Sequence, residues 1–138
     1  MHSILQDTLL AIEAERRGKF DQSFLLANQL LAVYGEEELV QQLYRDIPAT
    51  CPWEVVADLF AILIWSTSDN GNAITQVTDQ WLVEGDDLRK IRIALHLDTY
   101  PFLERGRMEA ILTELANLHP EVAQKCHELI ESRSGSKD

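Results

Sequence analysis

Basic side chains are scarce in this chain: 12 Lys and Arg stand against 23 Asp and Glu, for a formal net charge of -11 and a pI near 4.7. Most faces of such a molecule would repel a phosphate backbone, which argues against direct nucleic-acid binding. Along the chain the balance is -4 over residues 1–50, -5 over 51–101 and -2 over 102–138, so no third supplies a basic footprint. Cysteine is scarcer still. Cys51 and Cys126 are too few for a disulfide framework and fall where a helix start and a helix interior are expected, so a reduced, cytoplasmic setting is expected. Long apolar runs are missing too. The longest nearly uninterrupted one, LFAILIW from Leu59 to Trp65, is far too short to span a bilayer, and no membrane partner is expected. The opening residues MHSILQDTLLAIEAERR lack both the basic leader and the small-residue cleavage site of a secretory signal.

Signatures of chemistry are equally thin. No Gly-rich phosphate loop, Gly-x-Ser-x-Gly elbow or His-Glu-x-x-His motif occurs. The neighbours Cys126 and His127 diverge by about 100 degrees on a helix and cannot grip one ion together. His119 precedes Pro120, where a cap or turn residue is expected, and His2 is terminal. Two carboxylate pairs stand out, Glu54 with Asp58 and Asp86 with Asp87. The first is one helical turn apart, a placement that can raise one pKa and create a general acid or base, although a solvated edge is its commoner use. The expectation is a protein with no catalytic, metal-binding or cofactor-binding residues.

What is present is apolar periodicity. Hydrophobic residues make up 46% of 138, enough for a packed core in one domain over residues 1–132, with a loose polar tail at 133–138. Ile4, Leu5, Leu9 and Ile12 fall at helical spacing, with Ser3 as N-cap and Gly18 as stop. A second helix runs from Asp21 until Gly35 ends it. Glu36, Glu37 and Glu38 are expected in the first turn of a third, where the helix dipole favours negative charge. After a break framed by Pro48 and Pro52, the segment Trp53 to Ser66 is apolar on most sides and should be central. The polar run STSDNGN then reads as a turn with Trp65 and Trp81 both pointing inward, or as an exposed loop beside an aromatic suited to binding another protein. Residues 88–98 alternate as a strand would. They also fit a helix started by Asp86, and since a lone strand would have no partner, helix is expected. Further helices from about Phe102 to Leu118 and from Pro120 complete an all-α chain of about eight short helices. These stack as consecutive hairpins, either an irregular α-solenoid of HEAT-like or TPR-like units or a compact bundle.

The segment RGKFDQS resembles the turn of a tetratricopeptide repeat, with Gly18, Phe20 and Ser23 at its small, aromatic and small positions and Leu10 and Ala11 in the preceding helix. Asp7 and Gly35 depart from that pattern, and no second copy follows. In size, acidity and helicity the chain also resembles the α-helical immunity proteins of bacterial toxin systems. That resemblance implies a non-catalytic module that binds and neutralises a cognate toxin, its partner a basic toxin domain. The acidic stretch with an aromatic, Asp69, Asp79, Trp81, Glu84, Asp86 and Asp87, is the candidate partner-binding set. The other expectation is a helical adaptor or regulatory subunit that takes a peptide or protein through its tetratricopeptide-like hairpin.

Overall fold

A buried Ser beside a carboxylate sets the first hairpin. In the computed structural model, which describes residues 2–134, Glu15 at the end of α1 (Ser3–Glu15) accepts hydrogen bonds from Ser23 Oγ at 2.6 Å and from the backbone N–H of Ser23 at 2.7 Å. Those bonds satisfy the start of α2 (Asp21–Tyr34), where the preceding residue, Phe20, offers no capping side chain. The Ser23 hydroxyl holds the Glu15 carboxyl below its usual range. Gly18 is less constrained than the turn pattern suggests, because a Cβ there would meet nothing within 4 Å.

Two compact units make up the chain, one up to Val77 and one from Thr78. In the first, α1 and α2 pack on each other and both pack on α4 (Trp53–Ser66). The apolar stripes Leu5, Ile12, Ala27 and Leu30 meet Val56, Leu59, Phe60 and Leu63 as a core, and α4 is central as its composition implied. A short α3 (Leu39–Asp46) lies between α2 and α4 in the chain. The Tyr34 hydroxyl donates to Asp46 at 2.8 Å, and burial together with that carboxylate pushes the phenol up to about 12. Glu36, Glu37 and Glu38 are not in the first turn of α3. They form the turn before it, with Glu38 left-handed at φ 53°, so the helix dipole does not account for the acidic run.

The second unit takes the remainder of α5 (Asn72–Glu84), then α6 (Leu88–Leu95), α7 (Arg105–Leu118), a single 3-10 turn (Pro120–Val122) and α8 (Ala123–Ser134). Among the described residues the chain has no strand. Ile91, Ile93, Leu95 and Leu97 alternate because α6 and its exit are buried on more than one side, which imitates a strand period. Asp87 caps α6 by accepting the Lys90 N–H at 3.2 Å, and the His119 Nε2–H donates to the Gly85 carbonyl at 2.8 Å. α7 and α8 form a hairpin whose core joins Met108, Leu112, Leu115, Val122 and Cys126 to Leu82, Ile91 and Leu95. α7 starts at Arg105 rather than near Phe102, because residues 101–104 form a separate bend. Of the tail expected at 133–138, Arg133 and Ser134 belong to α8, with Arg133 buried; residues 135–138 lie outside the described region. No helix among the described residues is long and apolar enough to cross a membrane.

Candidate partner-binding site

The polar run after Trp65 folds into a turn held almost entirely by its own oxygens. α4 closes as the Thr67 N–H donates to Leu63 O at 3.0 Å and the Ser66 hydroxyl to Ile62 O at 3.0 Å. Thr67 Oγ1 then accepts the Gly71 N–H at 2.9 Å. Asp69 accepts from the N–H of Gly71 at 3.1 Å and of Ala73 at 2.9 Å, which places a carboxylate on the amino end of α5. These bonds, the Ala73 N–H foremost, hold the Asp69 carboxyl below its ordinary range. Asn70 and Gly71 both have positive φ, 56° and 78°, and at Gly71 a Cβ would sit 2.6 Å from Ile64 Cγ2. Only glycine suits that close approach in a left-handed backbone.

A second carboxylate reaches the turn from 32 residues away: Glu36 Oε1 accepts the Ser68 N–H at 3.1 Å and the Ser68 hydroxyl at 2.9 Å. The Glu36–Glu38 turn and the 66–72 turn are thereby joined into one acidic surface, on which Glu36, Glu37, Glu38, Ser68, Asp69 and Asn70 are all exposed. At its edge stands Trp65, 79% exposed at the end of the most apolar helix of the chain. From Asp46 to Leu88 the sequence contains no Lys or Arg at all. An exposed indole at the end of α4, directly before a turn that carries these carboxylates, is suited to a partner with a cationic surface and a flat apolar spot.

The six residues expected to bind a partner have diverse placements. Asp69 belongs to the turn just described. In the second unit Asp79 is half-buried and accepts the Phe102 N–H with both oxygens at 3.2 Å; desolvation raises its pKa against the pull of that hydrogen bond. Trp81 is buried at 7% exposure, with the Lys90 ammonium 5.4 Å from its ring centroid. Asp87 is the α6 cap, while Glu84 and Asp86 are exposed. Of the two tryptophans expected to point inward, Trp81 does and Trp65 does not. Sequence reasoning put Trp65 inward in its first reading and beside an exposed binding loop in its alternative, and the structure favours the alternative for that residue; it missed Glu36–Glu38, which are tied to the turn only by a long-range bond.

Among the described residues no three His, Cys, Asp or Glu side chains gather in a way that could hold a metal ion. Cys126 is buried, which pushes its thiol up to about 11 and suppresses the reactive thiolate. Asp58, half of the carboxylate pair on α4, is engaged by Arg16 Nε at 2.8 Å. The site and fold thus define an all-helical protein with an acidic, aromatic surface corner. Comparison with protein-family models, with curated proteins and with solved structures gave no match for the chain.

Proposed function

We propose that this protein is a non-catalytic binding module that acts in the cytoplasm as an immunity protein, covering a basic domain of a cognate bacterial toxin. The observation that carries the reading is Trp65, exposed at 79% at the end of α4, directly before the turn fixed by the Glu36 and Asp69 carboxylates. Tryptophan is among the residues that most often dominate binding energy, and a rigid mount lowers the entropy lost on association. The surrounding negative charge would steer a cationic partner toward it.

Affinity capture with the tagged full-length chain at low and high salt, followed by kinetics on the recovered partner, tests this. The expected result is one basic partner, neutralised on co-expression, whose association rate falls as salt rises. Trp65→Ala should weaken it by about tenfold or more while leaving the helical signal unchanged. A neutral partner bound equally well at all salt concentrations would sink the reading. It would favour the adaptor alternative, which has its own support in a cavity of about 400 Å³ where the exposed Leu10 of α1 lies beside Pro48, Cys51 and Pro52.

A further inference from the structure

The second unit has a cleft of its own, about 490 Å³ in volume, between the chain leaving α6 and one face of α8. That volume falls in the range of small-molecule sites. On α8 the lining residues Lys125, Leu129 and Ser132 are four and three positions apart, which puts them in one stripe of the helix. From the exit of α6 come Leu95, His96, Asp98 and Tyr100. Leu95 belongs to the core and Leu129 packs against that core, so the two leucines give the cleft an apolar floor.

The walls are held by bonds that reach across the sequence. The Tyr100 hydroxyl and Ser132 Oγ share a hydrogen bond of 2.6 Å, which ties the bend after α6 to α8. The buried Arg133 guanidinium lies 5.4 Å from the centroid of the same Tyr100 ring. It also donates to the Pro101, Phe102 and Leu103 carbonyls at 3.2, 2.9 and 2.7 Å, so the segment that follows Tyr100 is pinned as well. The His96 Nδ1–H donates to the Arg92 carbonyl at 2.7 Å and thereby orients the imidazole. Walls set in advance lower the ordering entropy that a ligand would otherwise cost.

Two opposite charges stand in this cleft without meeting. Lys125 is half-buried, and among the described residues its ammonium has no hydrogen bond or ion pair. The Asp98 carboxylate has none either. Glu121 and Glu128, one helical turn to either side of Lys125, are exposed and do not pair with it; Glu128 accepts the Gln124 amide instead. A partly desolvated ammonium gains from a carboxylate brought to it, and Asp98 gains from a cation. A simple anion would supply only the first and would meet the repulsion of a chain with net charge -11. A zwitterion supplies both and has no net charge.

We propose that this cleft binds a small α-amino acid, with its carboxylate on Lys125, its ammonium on Asp98 and an apolar side chain along Leu95 and Leu129. Of the two hydroxyl hydrogens of Tyr100 and Ser132, one is used in their mutual bond, and the other is left to donate to the ligand carboxylate. The site is independent of the partner assigned to Trp65.

Titration calorimetry of the full chain with L-leucine tests it, beside isocaproate, which lacks the ammonium, and isoamylamine, which lacks the carboxylate. Expected is saturable one-to-one binding of L-leucine with a Kd of about 1 mM or tighter, and binding of both analogues weaker by about tenfold or more. Lys125→Gln and Asp98→Asn should each weaken L-leucine by about tenfold. Both should keep the wild-type helical signal and unfolding midpoint, since neither side chain has a bonded partner to lose. Amide NMR shifts on adding L-leucine should fall at residues 95–100 and 125–132. Isocaproate bound as well as L-leucine would make this a site for simple anions and overturn the proposal. So would unchanged affinity in either variant, shifts confined to other residues, or no saturation at about 10 mM with L-leucine, L-methionine and L-phenylalanine alike.

Discussion

The two units use charge differently. Up to Val77 the chain has 11 carboxylates and 4 cations; from Thr78 on it has 12 and 8. Each unit also contains one irregular turn that is unusually well tied. In the first, the 66–72 turn is held by anions accepting backbone N–H groups: Asp69 for Gly71 and Ala73, Glu36 for Ser68. In the second, the bend at 101–103 is held by a cation donating to three carbonyls and an anion accepting one N–H. The first unit has two tryptophans, Trp53 opening α4 and half-buried and Trp65 near its end and exposed, while the second has Trp81 alone, buried. Acidic residues that look like a single surface in the sequence therefore divide into those satisfying the backbone and those left to face solvent. Asp79 and Asp87 are among the first, Glu84 and Asp86 among the second, and Glu36 and Asp69 do both, accepting backbone N–H groups while they stay exposed.

The sharpest way to test that contrast is to truncate Trp65 and Trp81 in turn. Trp81→Ala should cost about 3–5 kcal/mol by leaving a large hole in the second unit, whereas Trp65→Ala should change stability by no more than about 0.5 kcal/mol. Chemical denaturation of both variants checks it, and comparable losses would mean that Trp65 is packed after all. Next in size is Arg133→Ala, which strips three carbonyls of their donor and should cost about 2–4 kcal/mol. Arg133→Lys should recover little of it, because an ammonium lacks the planar fork. Gly71→Ala probes the first unit's turn: a Cβ 2.6 Å from Ile64 in a left-handed backbone should cost about 2 kcal/mol.

The smallest effect is the pH response of Asp79. Burial raises its folded-state pKa above the ordinary 3.8, so the native chain holds this proton to higher pH than the unfolded chain. Its contribution to stability therefore falls as pH rises from that ordinary value through the folded one. Asp69, with its carboxyl held low, has the opposite sign: it stabilises above the ordinary value and that contribution is lost on acidification. Subtracting the denaturation free energies of Asp79→Asn from those of wild type across pH 3–7 should give a negative slope. The same subtraction with Asp69→Asn should give a positive one.

Much of the architecture was legible in the residues. The all-helical class, the boundaries of α2 and α4, the glycine that ends α2 and the helical rather than extended form of residues 88–95 follow from apolar spacing and turn chemistry. Where reasoning from sequence went astray over Glu36–Glu38 and Arg133, long-range bonds were responsible. Glu36 to Glu38 look like a helix start because acids favour that place, yet Glu36 is drawn to Ser68, and the helix begins at Leu39. Trp65 ends an apolar run and looks buried, but it sits at the last turn of α4, where the helix period carries it away from the packed face. Arg133 looks like the start of a polar tail, and only the three carbonyls of a loop some 30 residues earlier in the chain explain its burial.

By itself the sequence determined what local physics can encode: the period of each helix, the residues able to turn the chain, the acidity of the surface and the lack of a membrane-length apolar run. The tertiary structure alone decided that Trp81 and not Trp65 became core, and which carboxylates came to accept backbone N–H groups. The physical reason is that exposure and hydrogen-bond satisfaction depend on groups distant in the chain and brought together only on folding. Residue type states what a side chain can do, and its neighbours in space settle whether it remains available to do it.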